Sequence, residues 1–591
     1  MRLSISIALS ALLSVSSLSV AADISPHDTL IVTATRTPIP LSDATVPVTI
    51  ITREDIELSL ASDLSELLRF EAGIDIGRNG GPGQATSVFL RGTESNHTLV
   101  LIDGVRMNPS TIGGAAIQNI APEVIERIEI VKGARSALFG TDAIGGVINI
   151  ITRRADRAYF EGGVGGGSFA SQSGQVSGGN RNEDGEFGIN LNWQATDGYA
   201  PRTDSDITRG YDNLSANFYG AKRFGANELS VRHWRGAGNV EYLDFFLSPV
   251  DQDFENTVTA IEFDTRVSEF GNSKLILSFV QDEIAQNQAP DFVNSERLSL
   301  DWQYSHAFGK HTLTGGLFAV EEDASARSFG SGFREDTHIR AFFLQDQVIL
   351  GRHKAFVALR LTDNENFGNH TTWNAEYALA INDAFTLNVG WGHAFRAPDA
   401  SDRFGFGGSP LLKPELADER QLALRYAAGG RYSLYFEYYA NDIEDLIEFD
   451  LQSFTLKNLN EANIRGMQLG YEYRGDSFVF RADIVRQQAD DAATGTRLLR
   501  RAERTASLSY TQNIGLHRLG LSILASGDRV DFGGVELPGY VVANLTGQLQ
   551  LSDAWQLNAR IENLLNTDYQ TAANYRMQEQ SGFLELKYRW R

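Results

Sequence analysis

Leu584-Glu585-Leu586-Lys587-Tyr588-Arg589-Trp590 alternates apolar and charged residues at every step. In an extended strand this puts Leu584, Leu586, Tyr588 and Trp590 on one face and Glu585, Lys587 and Arg589 on the other. A period of two sustained over about ten residues is the pattern of a strand with lipid on one side and water on the other. The same pattern recurs at 434–439, 469–474 and 555–560, with Gly, Asn and Asp turns between such segments. Soluble β-sandwiches alternate too, so the number of segments and their aromatic load decide the class. The chain carries 19 Tyr, 34 Phe and 7 Trp, enough for aromatic girdles at both membrane interfaces.

The pattern holds from Tyr159 to the end, and the composition shifts near residue 155. Roughly 435 residues follow the shift, and at about 20 residues per strand with its share of loop they make on the order of 22 antiparallel strands. The expected fold is an all-β transmembrane barrel over 155–591. A cylinder that wide cannot fill its lumen with its own side chains. The region 41–154 is the expected occupant, a small α/β plug domain. It opens with the β-branched run 46–51, followed by Thr52-Arg53-Glu54-Asp55 and a helical spacing of Leu60, Leu64, Leu67 and Leu68. Strands at 98–102, ending in the turn Asp103-Gly104, and at 147–152 complete it.

Residues 3–20 contain no charge and lead to Ala21-Ala22-Asp23, which reads as a secretory signal peptide over 1–22 with cleavage after Ala22. No second long apolar run exists, so helical spans are excluded. With no cysteine the chain has no disulfide framework, no thiolate metal site and no lipobox. A net charge of −23 argues against nucleic acid as a partner and suggests long acidic extracellular loops. No His-Glu-x-x-His or local nucleophile motif supports an enzyme. His97 and His393 read as hydrogen-bonding structural residues.

Between the signal and the plug, in the segment 23–40, lies Asp28-Thr29-Leu30-Ile31-Val32-Thr33-Ala34-Thr35-Arg36. It is β-rich without helical period, and Pro38 and Pro40 are expected to keep it out of any regular element. It reads as a free strand suited to pairing with another protein's sheet edge, or as an ordinary first strand of the plug.

These stretches resemble the TonB-dependent outer-membrane receptors. Asp28, Thr29, Leu30, Ile31, Val32, Thr33, Ala34 and Thr35 are similar to the family's TonB box. Leu90-Arg91-Gly92, Leu99-Val100-Leu101-Ile102-Asp103-Gly104 and the long runs 125–140 and 143–152 resemble its plug. Within the family the chain is most similar to the cobalamin-transporting branch, through Asn79-Gly80-Gly81-Pro82-Gly83-Gln84 and Phe395-Arg396-Ala397-Pro398. Arg91, Arg106, Arg127 and Arg135 are expected to pair with carboxylates of the lumen wall.

The resemblance implies TonB-dependent active import of a scarce large nutrient by a monomer in the outer membrane of a Gram-negative bacterium. A corrinoid leads, a ferric siderophore is the alternative and heme the third; a passive porin-like channel is the reading from another class. The implied partners are TonB with its inner-membrane energising complex, the ligand, and outer-membrane lipid with lipopolysaccharide. Carried over by position, Ala85, Ser87, Glu94, Ile112 and Gly113 are the expected substrate contacts, although Glu94 and Gly113 depart in chemistry from the cobalamin member. No catalytic residue and no required cofactor is implied. A structural calcium held by Asp206, Asp244 and Asp253 is the metal expectation, with a solvated acidic loop as its rival, because Arg209 stands where the family tends to place an aspartate.

Overall fold

The structure, a computed structural model, describes residues 30–328, 330–459 and 461–590. The expected signal peptide, Asp28, Thr29 and Arg591 lie outside the described residues. From Tyr159–Gly167 to Ser581–Trp590, 22 antiparallel strands form one closed barrel. Closure pairs the first strand with the last, from Phe160 opposite Trp590 to Gly167 opposite Phe583. The terminal alternation survives in place. Leu584, Leu586 and Trp590 are exposed on the outer surface, whereas Lys587 is buried in the lumen. Exposed Trp193, Trp302, Trp391 and Trp555 stand on the same outward face of other strands.

One end of the barrel has tight turns, such as 183–184, 225–226, 309–310 and 515–516; the other has the longer connections 397–414, 445–460 and 563–580. Short turns mark the periplasmic end and longer loops the extracellular one. Part of the acidic excess sits on strand ends as well as in these connections. Arg209–Phe224 through Ser331–Leu350 run 16 to 20 residues per strand, well beyond the roughly 9–11 that cross a bilayer. Glu241, Asp251, Asp253 and Glu255 therefore sit on overhanging strand ends, joined by the short connections 244–248 and 287–291.

Inside the barrel, Val48–Ile51, Ile125–Lys132, Gly146–Thr152, Thr98–Ile102 and Val105–Arg106 form a five-stranded sheet in that order. Thr98–Ile102 runs parallel to Gly146–Thr152; the other pairs are antiparallel. Every residue of both parallel strands is buried, so these strands read as continuous apolar runs rather than alternating ones. One core joins plug and wall: Leu64, Ile130 and Ile148 share a cluster with Trp234, Val258 and Val280 of the barrel.

Two local expectations are corrected. The leucine run is not one helix. Arg53–Ser59, capped by Thr52 with Asp55 reciprocating, stops at Leu60, which takes φ 52°, and Asp63 caps a second helix, Leu64–Leu68. Of the four arginines, only two reach the wall. Arg91 pairs with Glu419 (3.0 Å) and Glu437 (2.9 Å), and Arg135 pairs with Glu376. Arg106 instead pairs with Asp142, and Arg127 with Glu129 two residues on along the same strand, both within the plug.

The chain turns sharply below the Arg91 pair. Gly133 takes φ 93°, and a Cβ there would collide with the Glu419 carboxylate. Its absence brings the Ala134 N–H to 2.5 Å from Glu419. With its lumen so occupied, the purified protein should be nearly silent in planar bilayers, and a variant lacking 41–154 should conduct. Equal conductance of the two would refute a seated plug.

Candidate functional site

Two regions carry the expected site residues, one at each end of the plug. At the outer end, the hairpin of Ile74–Arg78 and Thr86–Leu90 lifts the 79–85 turn toward the extracellular mouth. Arg78 anchors it on Asp63 (2.6 Å) and Glu66 (3.3 Å). Gln84 donates to the Glu241 carbonyl of the wall (3.2 Å). This leaves Ala85 exposed and Ser87 half-buried.

The second apex is shaped by Asn108. Its side chain accepts from Val100 N–H (2.8 Å) and donates to the carbonyls of Thr98 (3.0 Å) and Gly113 (2.7 Å). Thr111 is thereby buried, and Ile112 is left 45% exposed at the apex. Gly113 is not available to a ligand: it is buried with φ 67°, packed close to Asp399 and Asn96.

Above it lies the loop 397–414. Its short helix Ala400–Phe404 donates Ala400 N–H to the Ser110 carbonyl (3.1 Å) and Ser401 N–H to that of Thr111 (2.8 Å). Arg396 fixes this loop through Glu415 (2.9 Å), Asp399 (2.9 Å) and Asp402 (2.5 Å). Burial, with Asp402 beside it, pushes the Asp399 carboxyl well up. His97, fully buried, meets the same Glu415 at 2.8 Å, and His393 bonds Asp418 (2.9 Å).

Glu94 is taken by Arg501, whose guanidinium lies 5.0 Å from the Phe89 ring. Burial, with Glu94 nearby, pushes Glu448 up to about 7. Arg403 and Arg500 are likewise held, by Glu335 and by Asp531 (2.7 Å). The arginines of this part of the mouth are thus neutralised in place, which makes it a poor trap for a polyanion.

The three aspartates of the calcium expectation are not brought together. Asp206 is fully exposed, 3.9 Å from Arg576. Asp244 accepts the N–H groups of Phe246 (2.8 Å) and Ser248 (2.7 Å), and Asp253 accepts from Asn239 (2.8 Å). Among the described residues no group of three or more His, Asp or Glu side chains is placed to hold a metal ion.

At the inner end, the expected free strand is docked. Leu30–Ile31 pairs antiparallel with Ile39–Pro40, and Ile31 is fully buried with Ala34, Ile39, Val46 and Val131. Pro40 is tolerated because it lies on an edge, where its missing N–H breaks no ladder. Glu129, completely buried, is the clasp. One carboxylate oxygen accepts from Val32 N–H (3.0 Å), Thr33 N–H (3.0 Å) and Thr33 Oγ1 (2.7 Å); Arg127 holds the other oxygen at 2.7 Å. Asn149 Nδ2 adds a donor to Thr33 Oγ1 (3.0 Å). Glu129 was legible only as an acidic residue between Ile128 and Ile130 in a strand otherwise destined for the core.

Comparison with known proteins places barrel and plug in one family. The TonB dependent receptor-like β-barrel family matches residues 143–564, and the TonB-dependent receptor plug domain matches 40–147. The vitamin B12 transporter of Vibrio vulnificus is 28% identical over 602 residues, covering 96% of this chain and 95% of that protein. That of Photobacterium profundum is 28% identical over 600 residues, covering 96% and 97%. Among solved structures, a ferric enterobactin receptor mutant from Pseudomonas aeruginosa superposes with a TM-score of 0.81 at 17% identity, covering 95% of this chain and all of that one. The siderophore receptor PirA from Acinetobacter baumannii gives 0.79 at 17% identity, covering 92% and 98%.

Removing the clasp should loosen the segment without touching the outer mouth. Hydrogen bonds to a charged acceptor contribute about 1.5–3 kcal/mol each. A spin label at the exposed position 30 should therefore report a mobile segment in Glu129→Ala and an ordered one with Glu129 in place, both without ligand. Equal spectra would show that Glu129 does not hold it.

Proposed function

The chain belongs to the TonB-dependent receptor family, and from that premise we propose that it imports cobalamin or a related corrinoid across the outer membrane, with the segment 28–36 as the handle for TonB. The observation that carries the corrinoid reading is the mouth of the plug: an exposed Ile112 and Ala85, with surrounding arginines already bound to carboxylates. An apolar, charge-compensated floor suits a large neutral macrocycle better than a ferric siderophore of high negative charge. Both curated relatives reported above are vitamin B12 transporters, which supports the same choice.

The residues divide the work by location. Ala85, Ser87 and Ile112 offer contacts from the plug, and Glu94 contributes through its pair with Arg501. Gly113 acts indirectly, since its lack of a side chain lets the 397–414 loop seat on the apex. Occupancy from outside favours the population in which Val32 and Thr33 leave Glu129, because a ligand shifts an equilibrium by its differential affinity for the two states. TonB then pairs with the released strand by main-chain hydrogen bonds. The pull draws on the inner-membrane proton gradient, and no bond of the ligand is made or broken. A structural calcium at Asp206, Asp244 and Asp253 would require the 200–208 and 244–248 connections to converge. A porin reading would leave the seated plug without a purpose.

Titration of the purified protein with cyanocobalamin and with a panel of ferric siderophores tests the substrate. Submicromolar affinity for the corrinoid alone is expected; affinity for a siderophore alone would replace the reading. Deletion of residues 30–33 should abolish uptake by cells while surface binding stays within twofold, and persistent uptake would remove that segment from energy coupling.

A further inference from the structure

The plug is held unevenly. Asp43, Glu54, Asp55, Glu57, Arg91, Glu94 and Arg135 fasten it by ion pairs to strands and loops between 354 and 589. Among the described residues, no ion pair joins 41–152 to the strands Gln172–Asn182, Gly185–Tyr199 and Arg209–Phe224. There the links are neutral hydrogen bonds: Tyr199 to the Gly80 carbonyl (3.3 Å), Tyr211 to that of Gln118 (3.4 Å) and Asn213 to that of Asn119 (2.9 Å).

The wall behind these links is equally distinctive. Asn190 faces Asn217 and Asn192 faces Ser215 across adjacent strands, and Asn213 stands on the same lumen face. All five are at most 4% exposed. Each has at least one side-chain nitrogen or oxygen without a protein hydrogen-bond partner. Buried polar atoms are ordinarily paired, so five neighbouring side chains that each keep an atom to spare give this wall a contiguous row of hydrogen-bonding capacity beyond what the plug takes up. A cavity of about 150 Å³, lined by Asn192, the plug residues 60–63 and Arg560, opens beside the column.

The geometry points to this column as the passage along which the ligand crosses once the plug is pulled. The inference rests on the corrinoid reading, since a corrin rim carries primary amides. Asparagine amides can donate to and accept from those groups one after another, with no buried charge to strip of its partner. The ion-paired side keeps the plug seated while the neutral side parts, because separating a buried ion pair strands two charges and parting the neutral bonds strands none.

The chain has no cysteine, so single thiols report access cleanly. Ser215→Cys is near isosteric; Thr372→Cys, equally buried on the ion-paired side, is the control. In energised cells given cyanocobalamin, labelling of the Ser215→Cys variant by an impermeant thiol reagent should rise at least tenfold over de-energised cells, with Thr372→Cys unchanged. Asn217→Leu should cut uptake about tenfold with surface binding unchanged. Uptake of labelled cyanocobalamin by the unmodified protein is measured alongside. Its absence sinks the corrinoid reading and the route with it. Uptake with Ser215→Cys protected, or with both positions labelled alike, sinks the route alone.

Discussion

Hydrocarbon offers no hydrogen-bond partner, so every backbone N–H and C=O of a membrane-spanning sheet must be paired within the protein. That constraint closes the sheet, and the pairing of Tyr159–Gly167 with Ser581–Trp590 satisfies it. The number of strands then fixes the width, and the width creates a second demand, a lumen that side chains alone cannot fill. The plug answers it, and its buried parallel strands are covered by its own short helices together with the wall. Barrel and plug are thus two consequences of one solvent.

Filling a polar lumen with a folded domain brings charged groups together away from water. Such pairs contribute little net stability, but removing one partner is costly, so they fix position more than they add strength. Arg91 between Glu419 and Glu437 shows the principle: one guanidinium satisfies two wall carboxylates at 3.0 Å and 2.9 Å. Gly133 makes room for the same Glu419 to reach the Ala134 backbone. The outer mouth follows the same rule with Arg396, which binds the plug-capping loop to the strand end at Glu415.

What the sequence discloses depends on whether a residue's surroundings are local. The period-two pattern of 584–590 carries its own meaning, and the strand count and lumen occupant follow from it by arithmetic. The capping box at Thr52 is equally local, yet the helix it starts stops at Leu60, because Asp63 begins a new one three residues on. Pairings that depend on tertiary distance were hidden. Nothing near Arg106 or Arg127 tells that they turn toward Asp142 and Glu129 while Arg91 and Arg135 turn outward. Nor does the sequence around Gly113 reveal that a loop nearly 290 positions later covers it. The docked state of Leu30–Ile31 was concealed for the same reason, since its partner acceptor, Glu129, lies almost a hundred residues away.

The closing seam has a further consequence, for assembly. Phe160 and Trp590 are separated by 590 − 160 = 430 positions, so the contact that completes the cylinder is among the most non-local in the chain. Such contacts form slowly, because loop entropy is lost long before the pairing rewards it. Until the final strand arrives, the first presents an open edge, and unpaired edges invite association with other chains. A sheet this long therefore stays open to wrong partners until Ser581–Trp590 reaches Tyr159–Gly167, and the step that joins them is also the step that removes the hazard.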